Sequence, residues 1–191
     1  MAQILKEPKQ DSVGLVIIIT NDYSTTKELS TLNGTKEDGK ALSEAFAKLN
    51  FTVQWEENVN GDQLKLIVKD IARLNASDCR CIIFVFSGHG QEGDYIFMQD
   101  NSKHQIYDAI VHPLLPKNAK GIGSIQKAFL IDACRGGEKA AIAYVPKGLK
   151  ERLMDKLKKV SAEGNFLVDS PSRKRMRLTK EEFGFPLWPH S

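Results

Sequence analysis

An α/β protein of three layers, with a mostly parallel central sheet between helices, is the fold class this sequence predicts. Three apolar runs, Gly14 to Thr20, Cys81 to Phe86 and Ala128 to Ile131, are rich in β-branched or aromatic residues and unbroken by charge. Strands covered on both faces in a parallel sheet read this way. Segments with apolar residues at helical spacing separate the runs, and strand alternating with helix is the pattern of such a layered fold. The length of 191 residues fits one domain.

The first strand, GLVIIIT, is followed by a polar loop from Asn21 to Gly34. From Thr35 to Asn50, Leu42, Phe46 and Leu49 recur at helical spacing, with Thr35 as the expected N-cap. Phe51 to Trp55 alternates as a short strand. Residues 62–74 form the clearest amphipathic pattern, with Leu64, Ile67, Val68, Ile71 and Leu74 on one stripe. The next buried strand ends at Ser87-Gly88-His89-Gly90. Tyr95 to Met98 reads as an edge strand or hairpin arm, Gln105 to Leu115 as a short helix, and Ala128 to Ile131 as the last central strand. Right-handed crossovers would bring the C-terminal ends of these strands to one edge of the sheet.

After Cys134 the patterns weaken. Leu149, Leu153, Leu157 and Val160 mark an amphipathic helix, and Gly164 to Val168 reads as the stub of another strand. The expected organisation is an N-terminal segment over 1–13, a main domain over 14–145, a linker helix and strand start over 146–168, and a basic, disordered or loosely docked tail over 169–191. Arg173 to Arg177 is a solvated cluster or, less in keeping with its shortness, a nuclear-localisation or nucleic-acid patch. The net charge of +3 gives little reason to expect nucleic acid as a partner. The N-terminus lacks the apolar core of a signal peptide, and no run is long enough to span a membrane. Three cysteines, two of them only two positions apart, argue against a disulfide framework and for a reducing, cytoplasmic setting.

The chemistry gathers at two strand ends. Cys134 stands where an apolar run stops, ahead of Gly136 and Gly137. It is either a small buried hydrophobe or a nucleophile. A thiol with a free pKa of about 8.5 is mostly protonated near neutrality and needs a base. His89, between Gly88 and Gly90, is that base if the two strands are neighbours. The N–H groups of Gly90 and Cys134 could then hold an oxyanion. Cys79 and Cys81, without a second pair, read as packing residues rather than metal ligands. No metal or other cofactor is expected. Ser87 lacks a nucleophile elbow, and Gly121 to Gly123 is turn chemistry rather than a phosphate loop.

SGHG at 87–90 and DACRGG at 132–137 resemble the large catalytic subunit of the caspase-like cysteine peptidases. The resemblance extends from about Gly14 to Gly137 and includes Asn33-Gly34-Thr35 with Asp38. It implies that Cys134 is the nucleophile, His89 the proton-transfer residue and Gly90 an oxyanion donor, in an endopeptidase acting on proteins or peptides in cell death or stress signalling. Two substrate-binding positions depart from the animal caspase pattern. The arginine that grips an aspartate is matched by Leu32, and the signature glutamine by Asp132, as in metacaspases and paracaspases, which prefer basic substrates. Strand alternation would point Asp132 and Cys134 the same way. Asp132 either lines the specificity pocket, favouring Arg or Lys at the cleaved position, or is a structural acceptor or partner of Arg135. The resemblance implies a small-subunit half that begins at a strand like Gly164 to Val168, and on that expectation the groove is unfinished in this sequence, as an alternative transcript, a truncated gene reading or a natural single-subunit regulator. The alternative function is a catalytically incomplete regulator that dimerises with full-length relatives.

Overall fold

The computed structural model describes residues 5, 8–9, 11–74, 79–134 and 139–144, and for 134 and 139–144 the backbone only. A five-stranded sheet forms its centre, built from β1 (Gly14–Thr20), β2 (Thr52–Glu57), β3 (Cys81–Gly88), β7 (Gln126–Cys134) and β8 (Lys139–Tyr144) in the spatial order β2-β1-β3-β7-β8. The first four strands are parallel, and β8 runs antiparallel along the far edge. Helix α1 (Thr35–Lys48) covers one face and α2 (Gly61–Arg73) the other. This is the expected three-layer α/β/α arrangement.

Alternation along the strands divides the core in two. Val16, Ile18, Ile83, Val85 and Ala128 meet Leu42 and Phe46 of α1. Leu15, Ile17, Ile19, Phe84 and Phe86 face α2, whose Leu64, Ile67, Val68 and Ile71 are all buried. Each such side chain contributes about 1.5–3 kcal/mol relative to exposure. The α2 stripe matches the sequence expectation. Its N-terminus is closed by a capping box, with Asn60 accepting from the Gln63 N–H at 2.9 Å and Gln63 accepting from the Asn60 N–H at 2.8 Å. On β1, a Cβ at Gly14 would stand 2.2 Å from the Cys81 carbonyl oxygen, so glycine is required there.

Several local expectations are corrected. The N-cap of α1 is Gly34, at φ 90°, and Thr35 is the first helical residue; its hydroxyl donates back to the Leu32 carbonyl at 3.4 Å. The second strand starts at Thr52, leaving Phe51 to pack edge-on against Phe46 at 5.5 Å between ring centroids. A second sheet, β4 (Gly90–Gln91), β5 (Tyr95–Phe97) and β6 (Lys103–Gln105), makes β5 a hairpin arm but its middle strand rather than an edge. The helix expected from Gln105 is broken: β6 runs through Gln105, a π-helical turn spans Tyr107–Val111, and a 3-10 turn spans His112–Leu114. Pro113 lacks an N–H and cannot continue the preceding helical ladder. Strand β8 was not expected, because KAAIAY is alanine-rich and carries little strand propensity. The expected helix and strand stub over 146–168 and the basic tail lie outside the described residues.

Candidate active site

The strand order reverses direction between β1 and β3: the chain moves from β1 outward to β2, then returns past β1 to β3 and β7. In open parallel sheets the crevice beyond the C-terminal strand ends at such a switch point is where ligands bind. Two segments leave the sheet there, the loop over residues 21–34 after β1 and the turn at His89 after β3.

Backbone bonds and buried amides give the loop its shape. The Leu32 N–H donates to the Asp22 carbonyl at 2.8 Å, closing its neck. Asn21, fully buried, accepts from the Val59 N–H at 2.8 Å and donates to the Val59 carbonyl at 3.2 Å, tying the loop to the entry of α2. The carboxylate of Asp22 accepts from the Ser24 N–H and hydroxyl, both at 2.8 Å, and these bonds lower its pKa.

The loop also grips His89. The imidazole Nε2 lies 2.6 Å from the Ser30 carbonyl oxygen and 3.3 Å from the Ser30 hydroxyl. A carbonyl can only accept, so Nε2 carries the hydrogen and Nδ1 is the nitrogen of the neutral ring left to take a proton. The Tyr23 ring leans on the imidazole at 4.6 Å between centroids. Neither contact was anticipated from the sequence: a main-chain carbonyl has no sequence signature, and Tyr23 is one aromatic in a polar loop.

Gly90 begins the second sheet. The Phe97 N–H donates to the His89 carbonyl at 3.0 Å, which makes Gly90 and Ile96 a pair that does not exchange ladder bonds. The Gly90 N–H is therefore directed away from β5, on the open edge of its sheet.

Strands β3 and β7 are neighbours in parallel register, ending with Ser87 opposite Asp132 and Gly88 opposite Ala133. His89 and Cys134 each stand one residue further on. Cys134 is the last residue of β7 rather than a residue beyond the strand. Ser87 and Asp132, as register partners, share the α1 face, and Asp132 is exposed. Asp38, in the first turn of α1, has its pKa raised by partial desolvation, then by the like charges of Asp132 and Glu37. Leu32 is half-buried just ahead of the same helix. Leu32, Asp38 and Asp132 thus border one end of the sheet.

Cys79 and Cys81 lie at the opposite, N-terminal end of β3, both buried and unpaired as disulfides. Cys79 donates its thiol to the Cys81 carbonyl at 3.1 Å, and burial pushes the Cys81 thiol up to about 12. They are packing residues with suppressed nucleophilicity. Among the described residues, no three His, Cys, Asp or Glu side chains are grouped to hold a metal ion.

The sequence profile of the caspase domain matches residues 13–180. Among curated relatives, Cell death protein 3 of Caenorhabditis remanei is 32% identical over 125 residues, 64% of this chain and 23% of that protein. Caspase-7 of Gallus gallus is 32% identical over 130 residues, 66% of this chain and 40% of its own length. Caspase-6 of Mus musculus is 27% identical over 128 residues, 67% of this chain and 45% of its own. The chain therefore spans less than half of each of these relatives. The profile match covers most of the sequence and both strand ends of the crevice, and the chain belongs to the caspase domain family.

Proposed function

We propose that this chain is a cysteine endopeptidase domain in which Cys134 is the nucleophile and His89 the general base and acid. The observation that carries the reading is the β3–β7 register, which leaves His89 and Cys134 one step beyond the same strand pair. The Ser30 carbonyl holds Nε2–H, so Nδ1 takes the thiol proton as the thiolate forms. The thiolate attacks the scissile carbonyl carbon, and the Gly90 and Cys134 N–H groups receive the oxyanion. One well-aimed donor of this kind contributes about 3–4 kcal/mol. As the C–N bond breaks, the imidazolium returns the proton to the leaving amine. The resulting thioester is hydrolysed by water with His89 again as base. By likeness to Cell death protein 3, we assign the activity to programmed cell death, and the sparse, closely spaced cysteines assign its action to the reducing cytoplasm. No helix among the described residues is long and apolar enough to cross a membrane.

The pocket beside the nucleophile is assigned to Leu32 and Asp132, with Asp38 near Asp132. An aspartate side chain there would meet carboxylates instead of an arginine, a juxtaposition that costs several kcal/mol. Arg or Lys is therefore the favoured residue at the cleaved bond.

Peptides identical except for Arg, Lys or Asp at that position test both assignments, with wild type, Cys134→Ala and His89→Ala assayed side by side. Cleavage after Arg or Lys is expected, abolished by Cys134→Ala and reduced at least about a hundredfold by His89→Ala. Faster cleavage after Asp would overturn the pocket assignment. Turnover unaffected by Cys134→Ala would overturn the dyad. A wild type inert toward every peptide, yet altering the activity of a full-length relative when mixed with it, would establish the regulatory alternative.

A further inference from the structure

We propose that the Tyr23 hydroxyl is a positioning group for His89, inserted as a bridge into the hydrogen-bond ladder where the histidine passes from one sheet to the other. The inference rests on the peptidase reading for its kinetic consequence, but its geometry stands apart from it.

His89 occupies the single residue between β3 of the large sheet and β4 of the small one. Continuing the β4–β5 register backward pairs it with Phe97. In a regular antiparallel ladder such a pair exchanges two direct backbone bonds. Only one is direct, from the Phe97 N–H to the His89 carbonyl at 3.0 Å. In place of the other stands Tyr23: its oxygen accepts from the His89 N–H at 2.9 Å, and its hydroxyl donates to the Phe97 carbonyl at 2.6 Å. The bridge satisfies both groups while holding the two backbones further apart than a direct bond would allow.

The tyrosine is itself firmly held. It is fully buried, its N–H donates to the Gln99 side-chain carbonyl at 3.1 Å, and its backbone is left-handed at φ 59°. A side chain other than Gly, Asn or Asp is uncommon in that conformation and persists where surrounding contacts impose it. Burial pushes the phenol up to about 12, so it stays protonated and able to donate and accept throughout the neutral range. Gly88 completes the fit, because a Cβ there would stand 2.5 Å from the Tyr23 hydroxyl oxygen and 2.8 Å from the Phe86 ring. The loop after β1 thus holds His89 at three points: the peptide N–H through the Tyr23 hydroxyl, the ring face through the Tyr23 ring, and Nε2 through the Ser30 carbonyl. A phenylalanine would keep the second hold and lose the first. The imidazole would then be free to shift with its peptide and slacken the Ser30 bond that sets its tautomer.

Tyr23→Phe is the direct test, with Gly88→Ala as a second variant that displaces the hydroxyl while leaving the tyrosine in place. Two readouts are taken on the whole chain: kcat and KM on the cleaved peptide, and the His89 ring nitrogens by nitrogen-15 NMR. Both variants should lower kcat about three- to tenfold with little change in KM, the loss of roughly one net hydrogen bond, and both should reduce the fraction of His89 carrying its hydrogen on Nε2. Cys81→Ala, which loosens packing at the opposite, N-terminal end of β3, should change neither the tautomer nor kcat per folded molecule. An unchanged His89 tautomer in Tyr23→Phe would overturn the inference whatever the kinetics. A shifted tautomer in a protein that cleaves nothing would leave the positioning role standing and defeat the peptidase reading alone.

Discussion

The proposed specificity of the crevice is assigned to two side chains, because each stands where the animal caspase pattern has a group that holds an aspartate. Leu32 offers no charge where an arginine is expected, and Asp132 is an exposed carboxylate where the pattern has a glutamine. Removing the negative charge and restoring the positive one should invert the preference. The double variant Leu32→Arg with Asp132→Gln is expected to raise the ratio of kcat/KM for Asp over Arg substrates by at least about a hundredfold, corresponding to roughly 3 kcal/mol. Steady-state kinetics on the paired peptides measures it. An unchanged ratio would return Asp132 to the structural role of an acceptor for loop amides. The residue types at 32 and 132 are legible in the sequence. The nearness of Asp38 is not, since it depends on how α1 lies across the sheet.

Among the elements, β7 carries both a candidate nucleophile at its end and an unusual lysine near its start. Lys127 is 6% exposed and donates to the carbonyls of Ile122 and Ile125 at 2.6 and 2.9 Å, clasping the 3-10 turn Lys120–Ile122 to the strand. Burial lowers its pKa from the usual 10.5 to about 8. The folded state therefore releases this proton earlier than the unfolded chain does, and stability rises with pH wherever the unfolded chain holds more protons. Wild type should accordingly gain stability relative to Lys127→Met as pH rises from about 8 to 10.5, and that gain should vanish as pH falls through 8. Urea denaturation of the two proteins in parallel measures the difference; parallel curves across that window would contradict it. The strands and α2 are readable because apolar periodicity is local. The elements that escaped, β4, β6 and β8, are short or carry weak strand propensity, and only pairing with a neighbour makes them strands.

Across the whole molecule, the groups with strongly raised pKa values set an alkaline limit. Tyr23 is raised from 10.0 and the Cys81 thiol from 9.0, each to about 12 and each chiefly by burial. A group with a raised folded pKa contributes stability that is complete below its unfolded value and lost as pH climbs toward the folded one. The chain should thus lose stability between about pH 9 and 12, and Cys81→Ala should lose less over the same interval. Thermal melts across that interval would refute this if both proteins behaved alike. The sequence by itself determined the layered class, the three buried strands, the α2 stripe and the two motifs at 87–90 and 132–137, because each is written in residue types at fixed spacing along the chain. Only the tertiary structure decided that β3 and β7 are neighbours, that Asp38 lies near Asp132, and that Tyr23 and Ser30 close on a histidine 66 and 59 positions away. The physical reason is that crossovers and backbone carbonyls have no signature in the linear pattern; a main-chain oxygen becomes a partner for an imidazole only when the packing of the layers brings the two together.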